Sequence, residues 1–320
     1  MADRHAAAGA RGRPGELDAS AGRRGHRSGT RRRPLDRHTL EVGILGVLRI
    51  AVIAAAVAAS AGPLLYGAVL SVRPFGDVVA DPLALPALGE VDLSAYARAM
   101  ADEAAGGFGL ARFMRTSVTV AVWTTVLAVA CSVLGAYAAV RLRFFGRDTV
   151  NGFFLAVYLF PGIVLAVPLF VLFSRIGLTG SLVGLVIIYM AQTIPVSLYM
   201  LRGYFQAVPA GVEEAAEVDG CNRVQVITRV VLPMALPGVA ATGLYVFMIA
   251  WNEFLFALLF LVDDRQRWTV SLGIARLADF AVPAPVLMAG SIAITVPVVA
   301  GFLLAQRLLV SGLTAGAEKG

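Results

Sequence analysis

Of the 320 residues only one is lysine, Lys319, and the three histidines, His5, His26 and His38, all precede residue 40. A G-x-x-x-x-G-K-[ST] phosphate loop and a buried Schiff-base lysine are therefore excluded, so the chain is not itself an ATPase. Its apolar stretches can supply no imidazole for a metal site, a proton relay or a Ser-His pair, and catalysis is not expected. Cysteine is scarce as well. Cys131 and Cys221 stand in neither a C-x-x-C nor a metal-ligand spacing and read as small packing residues. No cofactor and no metal is expected.

What the chain has instead is apolar length. Apolar residues make up 58% of the sequence and the mean hydropathy is +0.77, against about 45 to 50% apolar residues in an ordinary soluble domain. Six stretches run without a charge: 50–72, 116–140, 149–174, 176–201, 230–252 and 280–306. Each is long enough for the roughly 20 residues a helix needs to cross a bilayer. The expected fold class is an all-α membrane protein with six transmembrane helices.

The net charge of +6 reads as topology, not as affinity for nucleic acid. Arginines crowd residues 4–37, ahead of the first stretch, and Arg141, Arg143 and Arg147 follow the second. The connection between those two stretches carries Asp77, Asp81, Glu90, Asp92, Asp102 and Glu103 against Arg73, Arg98 and Arg112. Positive-inside bias then puts both termini in the cytoplasm of a multi-pass protein of the cytoplasmic membrane. The expected organisation is an Arg-rich disordered cytoplasmic tail (1–46), a first transmembrane helix (47–72), an extracytoplasmic connection (73–112), a five-helix transmembrane domain (113–306) interrupted by a loop at 205–236, and a cytoplasmic C-terminal tail (307–320). A secretory signal with Ala59-Ser60-Ala61 as cleavage site is disfavoured, because the apolar run continues to Val72. The tail arginines suit a solvated, orienting segment, with anionic lipid as a further contact.

Charge inside the expected spans is confined mainly to Glu253, just past the fifth stretch and beside Asn252. An ionisable group there costs about 2 to 3 kcal/mol unless it is paired or hydrated. Counted from Pro237, it lies roughly 24 Å along the fifth stretch, toward the outer side. One reading makes Asn252 and Glu253 polar lining of a solute path; the other makes Glu253 a structural hydrogen-bonding group. Gln192 suits an interhelical hydrogen bond. Pro161, Pro168, Pro195 and Pro297 fall within stretches, where a missing backbone donor kinks a helix.

The segment from Pro209 to Pro233 reads as two short helices around a tight turn. Pro209 suits a first helical position and Gly220 the left-handed residue past a helix end. Asn222 with Gln225 forms a capping-box pattern opening a second helix, which Pro233 and Pro237 close. On the first helix Val212, Ala215, Ala216 and Asp219 share a face, with Glu213 and Glu217 to one side. Small side chains rimmed by carboxylates suit a groove on another protein whose basic groups meet the glutamates.

Glu214-Ala215-Ala216, three residues, Gly220, nine residues, Val230, one residue, Leu232-Pro233 resembles the E-A-A-x3-G-x9-I-x-L-P signature of permease subunits of binding-protein-dependent ABC importers; only the Ile position differs. The resemblance extends over most of residues 42–320. Trp251-Asn252-Glu253-Phe254 and residues 302–320 look like the second permease subunit of maltose-type carbohydrate importers. In two places the chain departs from that pattern. The Arg-rich tail is longer than these subunits usually carry, and Arg115-Thr116-Ser117 stands where they often show Asn-Ser.

The resemblance implies a type-1 importer permease fold whose loop is a coupling helix seated in an ATPase cleft. Its coupling residues would be Glu213, Glu214, Ala215, Ala216, Glu217, Asp219, Gly220, Leu232 and Pro233. The implied partners are two ATPase (nucleotide-binding) subunits, a second permease subunit, an extracytoplasmic solute-binding protein, membrane lipid and a sugar substrate of the maltose, maltodextrin or trehalose type. It also brings residues 312–320 near the ATPase pair, although by composition they read as a frayed end. An importer of another solute, such as an amino acid or polyamine, stays open because the loop signature is shared. A secondary transporter or channel would need ion or proton carriers within its spans, and the expected spans offer one carboxylate and no histidine.

Overall fold

Helical structure starts ahead of the apolar run. In the computed structural model, which describes residues 37–86, 90–159, 161–277 and 282–317, helix α1 spans Arg37–Ser71 with Pro63 in its interior. The expected tail, 1–46, is therefore helical from residue 37, and its residues 1–36 lie outside the described residues. By compactness the chain divides into Met1–Ala56 and Val57–Gly320. Within the first unit Leu45, Val47 and Ile50 are each more than half exposed, the pattern of a helix solvated by lipid.

Everything else belongs to the second unit. Two short helices, α2 (Phe75–Ala80) and α3 (Ser94–Met100), occupy the connection expected outside the membrane. The buried Arg73 guanidinium closes the end of α2 by donating to the carbonyls of Asp77 (3.0 Å) and Asp81 (2.9 Å), where a cation meets the negative end of the helix. The long α4 (Leu110–Arg141) follows. The stretch 149–174, expected as one span, is two helices, α5 (Arg147–Leu159) and α6 (Gly162–Arg175). Pro161 stands before α6 in extended backbone (φ −61°, ψ 120°), so it divides the stretch instead of kinking a continuous helix.

Helix α7 (Leu182–Ala207) packs lengthwise on α4, whose buried Ala121, Ala128, Ser132 and Ala136 permit close approach. A Cβ at Gly135 of α4 would stand 2.9 Å from the Leu198 side chain of α7. After α7 come α8 (Ala210–Val218), α9 (Arg223–Val226), a π-helical turn at Ile227–Val231, α10 (Leu232–Met234) and α11 (Leu236–Asn252). The chain ends with α12 (Leu255–Leu261), α13 (Val270–Leu277) and α14 (Ala284–Ala317), the last carrying Pro297 in its interior. Among the described residues every regular element is helical.

Four helical segments are long and apolar enough to cross a membrane: Leu45–Ser71, Leu110–Arg141, Leu182–Ala207 and Ala284–Leu308. Arg223–Met234 and Leu236–Asn252, bent by 83° at Ala235, make a fifth if counted together. Pro233 therefore does not close the second loop helix, which runs one residue past it. The wide turn at Ile227–Val231 comes just before this proline, whose ring would press on the carbonyl four residues back in a regular α-helix.

Two apolar clusters hold the second unit. The larger is aromatic: the Phe260 ring meets Phe173 at 5.3 Å and Phe170 at 6.1 Å edge-on, and Phe247 stacks on Trp251 at 5.8 Å. The smaller gathers Val133, Ala136 and Tyr137 of α4, Leu198, Leu201 and Phe205 of α7, and Val226, Val231 and Ala235. Ala216 and Cys221 pack against it, so the loop that follows α7 is seated on the ends of α4 and α7. Cys131, expected to pack, is exposed on α4. The Gln192 amide nitrogen, expected to bond to a neighbouring helix, is enclosed with no hydrogen-bond partner among the described residues.

Candidate functional site: the corner at 209–235 and the Glu253 turn

Local chemistry builds the corner at 209–235. Val208 ends α7 in extended backbone, and Pro209, one residue ahead of the expected place, is the N-cap of α8. Asp219 caps the far end, and Gly220 adopts φ +88°, which a side chain resists. The amide of Gly220 donates to Glu217 O (3.0 Å) and that of Cys221 to Ala216 O (3.0 Å), the paired bonds of a Schellman turn. A reciprocal box then opens α9: the Gln225 amide donates to Asn222 Oδ1 (2.9 Å), and the Asn222 amide donates to Gln225 Oε1 (2.8 Å). The two turns satisfy the exposed backbone groups of a sharp reversal.

The side chains of α8 divide into two sets. Val212, Glu214, Ala215, Glu217, Val218 and Asp219 are exposed, Val218 by 87%. Glu213 points the other way and is only 6% exposed. It accepts from Arg141 Nε at 2.7 Å on one oxygen and from the Tyr137 hydroxyl at 3.2 Å on the other. Arg141 Nη2 also donates to the carbonyls of Val208 (2.6 Å) and Phe205 (3.2 Å), which close α7. The expectation that Glu213 offers its charge to a partner is thereby corrected, because that charge is neutralised within the chain. Removing one member of such a buried pair costs about 3 kcal/mol, since the other is left uncompensated.

Leu232 and Pro233 lie in α10, half-buried and exposed respectively, beside the smaller cluster. The exposed side of α8 is thus an apolar and acidic surface made by Val212, Ala215, Val218, Glu214 and Glu217, with the exposed Arg223 and Arg229 on the following turns. Sequence reasoning missed Arg141 and Tyr137. In the sequence Arg141 is one of three arginines, with Arg143 and Arg147, whose spacing marks topology, and Tyr137 lies within an apolar stretch.

The second candidate pair lies elsewhere. Glu253 is not within a helix, as the fifth stretch suggested, but at the break after α11, with φ −66° and ψ 127°. Its carboxylate accepts from the amides of Phe256 (2.9 and 3.1 Å) and Ala257 (3.1 Å) and from the Tyr189 hydroxyl (2.7 Å). Asn252 is exposed and donates to Met248 O (2.8 Å). Ser271 Oγ donates to Glu253 O (2.6 Å), so backbone and carboxylate are both held. Among the described residues there is no cluster of three or more His, Cys, Asp or Glu placed to hold a metal.

Comparison with known proteins agrees with this architecture. Residues 132–314, more than half of the chain, match the family model described as binding-protein-dependent transport system inner membrane component. The inner membrane ABC transporter permease protein YcjP of Escherichia coli is 41% identical over 216 residues, covering 67% of this chain and 76% of that protein. The trehalose/maltose transport system permease protein MalG of Thermococcus litoralis is 40% identical over 210 residues, covering 65% and 75%. A chain of the solved bacterial ABC transporter involved in import of the acidic polysaccharide alginate superposes with a TM-score of 0.70 at 22% identity, over 85% of this chain and 98% of that one, a likeness of fold. With the family model across the packed helices and the corner alike, the chain belongs to the family of binding-protein-dependent transport system inner membrane components.

Proposed function

We propose that this chain is a permease subunit of an ATP-driven importer that carries carbohydrate across the cytoplasmic membrane, with ATPase subunits docking on the exposed side of α8. The observation that carries the reading is the corner itself: a short helix with an apolar, acid-rimmed outer surface, seated on the ends of two membrane-length helices. A small-residue helix of this kind enters a groove on a partner whose basic groups meet Glu214 and Glu217. The relatives named for trehalose and maltose support a sugar of the disaccharide or oligosaccharide class.

In this reading the broken pair α5–α6 counts as one crossing and the bent pair ending in α11 as another, which brings the crossings to six with both termini inside. A second permease subunit, two ATPase subunits and an extracytoplasmic solute-binding protein complete the machine. ATP-driven closure of the ATPase pair shifts α8 and tilts the spans between inward and outward states. The exposed Asn252 lies on the solute path, and Glu253 fixes the turn beside it.

The test is reconstitution of the chain with its second permease and ATPase subunits in proteoliposomes. ATP-dependent, binding-protein-dependent uptake of labelled maltose or trehalose is expected. Uptake of amino acids in place of sugars would overturn the substrate class, and failure of the chain to copurify with any ATPase subunit would overturn the coupling.

A further inference from the structure

The α8 helix is joined to the membrane helices by more than the chain. Arg141 is the last residue of α4, Phe205 and Val208 lie at the end of α7, and Glu213 is on the inward side of α8. One guanidinium touches all three elements: Nε meets Glu213 Oε1 at 2.7 Å, and Nη2 meets Val208 O at 2.6 Å and Phe205 O at 3.2 Å. The Tyr137 hydroxyl, one turn earlier on α4, holds the remaining oxygen of Glu213. Glu213, Phe205 and Val208 are buried and the Arg141 side chain is 20% exposed, so the acceptors are shielded from water while the guanidinium keeps one edge open.

A charge pair in such a place resists opening, because separating the partners leaves Glu213 buried without its counter-ion. The planar guanidinium also fixes direction, since its donors lie in one rigid fork. The backbone link between α7 and α8 is only Val208–Pro209 and could act as a hinge. The Arg141 bridge removes that freedom.

We propose that Arg141 and Glu213 form a rigid joint that makes α8 move as one body with the ends of α4 and α7, so that the pair sets how much of each ATP-driven displacement reaches the spans. Both are positioning residues, and the proposal rests on the reading of α8 as the ATPase-docking helix. Exposed Glu214 and Glu217 meet the partner, while Glu213 passes the partner's movement inward.

The experiment uses the whole reconstituted importer and measures solute taken up per ATP hydrolysed. In Glu213→Gln and Arg141→Met the complex is expected to copurify with its ATPase subunits and to keep hydrolysing ATP, while uptake per ATP falls about tenfold, a usual size for lost coupling between two sites. Uptake per ATP equal to that of the native chain in either variant overturns the joint. If these variants do not accumulate, spin labels at Arg143→Cys and Ala210→Cys, in a chain with Cys131 and Cys221 replaced by serine, read the joint directly. The distance between labels is expected to stay constant between nucleotide-free and ATP-bound complexes, and a change beyond the labels' own spread overturns the proposal. A native chain that binds no ATPase subunit would instead refute the docking reading on which the joint depends.

Discussion

The Tyr189 hydroxyl donates to Glu253 Oε2 across 2.7 Å, tying the interior of α7 to the turn between α11 and α12. The same oxygen accepts from two backbone amides at the start of α12, so the carboxylate is a cap and a cross-link together. Tyr189→Phe removes one bond and leaves the cap, at a cost of about 1 kcal/mol. Glu253→Ala removes both functions and leaves the Tyr189 hydroxyl and two amides unsatisfied, at a cost of about 3 kcal/mol. Thermal unfolding in detergent should rank native above Tyr189→Phe above Glu253→Ala, and Glu253→Gln should keep solute uptake per folded molecule if the carboxylate's role is structural.

Gly220 has open space where a Cβ would go, so any penalty there comes from the backbone alone. At φ +88°, Asn should be accepted better than Ala, and Ala better than Val, with Ala destabilising the corner by about 1 kcal/mol. Pro is worst, because it also loses the amide bonded to Glu217 O. Copurification of the ATPase subunits with each variant should follow that order.

At Gly238 the opposite holds. A Cβ there would stand 2.2 Å from Tyr204 Cγ, the stem of the ring and not its movable tip, where α11 crosses α7. Gly238→Ala should force the two helices apart at a cost of about 2 kcal/mol. Tyr204→Ala should restore most of that loss in the double variant, a non-additivity measured by the four unfolding midpoints.

Ser117 Oγ accepts from the amide of Val270 at 2.7 Å in a buried setting, joining α4 to the start of α13. Ser117→Ala leaves that amide without a partner and should cost about 2 kcal/mol, whereas Ser117→Thr keeps the acceptor. Thermal midpoints of the two variants distinguish loss of the bond from mere change of size.

Features whose chemistry is local were legible in the sequence. Gly220 announces a left-handed turn because few other residues take it, and Asn222 with Gln225 announces a cap because the two groups reach each other across one helical turn. The Arg141–Glu213 pair was not legible, since its members lie 72 residues apart and nothing near either one specifies the other. Glu253 and Pro161 were misplaced for a different reason. An uninterrupted apolar run reports what solvates the segment, not whether its backbone stays helical, so neither the break after Asn252 nor the division before Gly162 shows in hydropathy. Gln192 invites a hydrogen bond by its type, but whether a partner faces it depends on how two distant helices are rotated.

The wide turn at Ile227–Val231 inserts, in effect, one residue more than a regular helix would hold between the corner and α11. Each residue of an α-helix advances the side chains by about 100°. A one-residue deletion in this turn would therefore keep the Gly220 turn and the Asn222–Gln225 cap, shorten the spacing from Gly220 to Leu232-Pro233 by one, and turn the Asn222 end of the loop to a different heading relative to the spans. Alignment between related chains at this place is thus a matter of phase as much as of identity, and a gap there marks a rotated corner where a substitution would not.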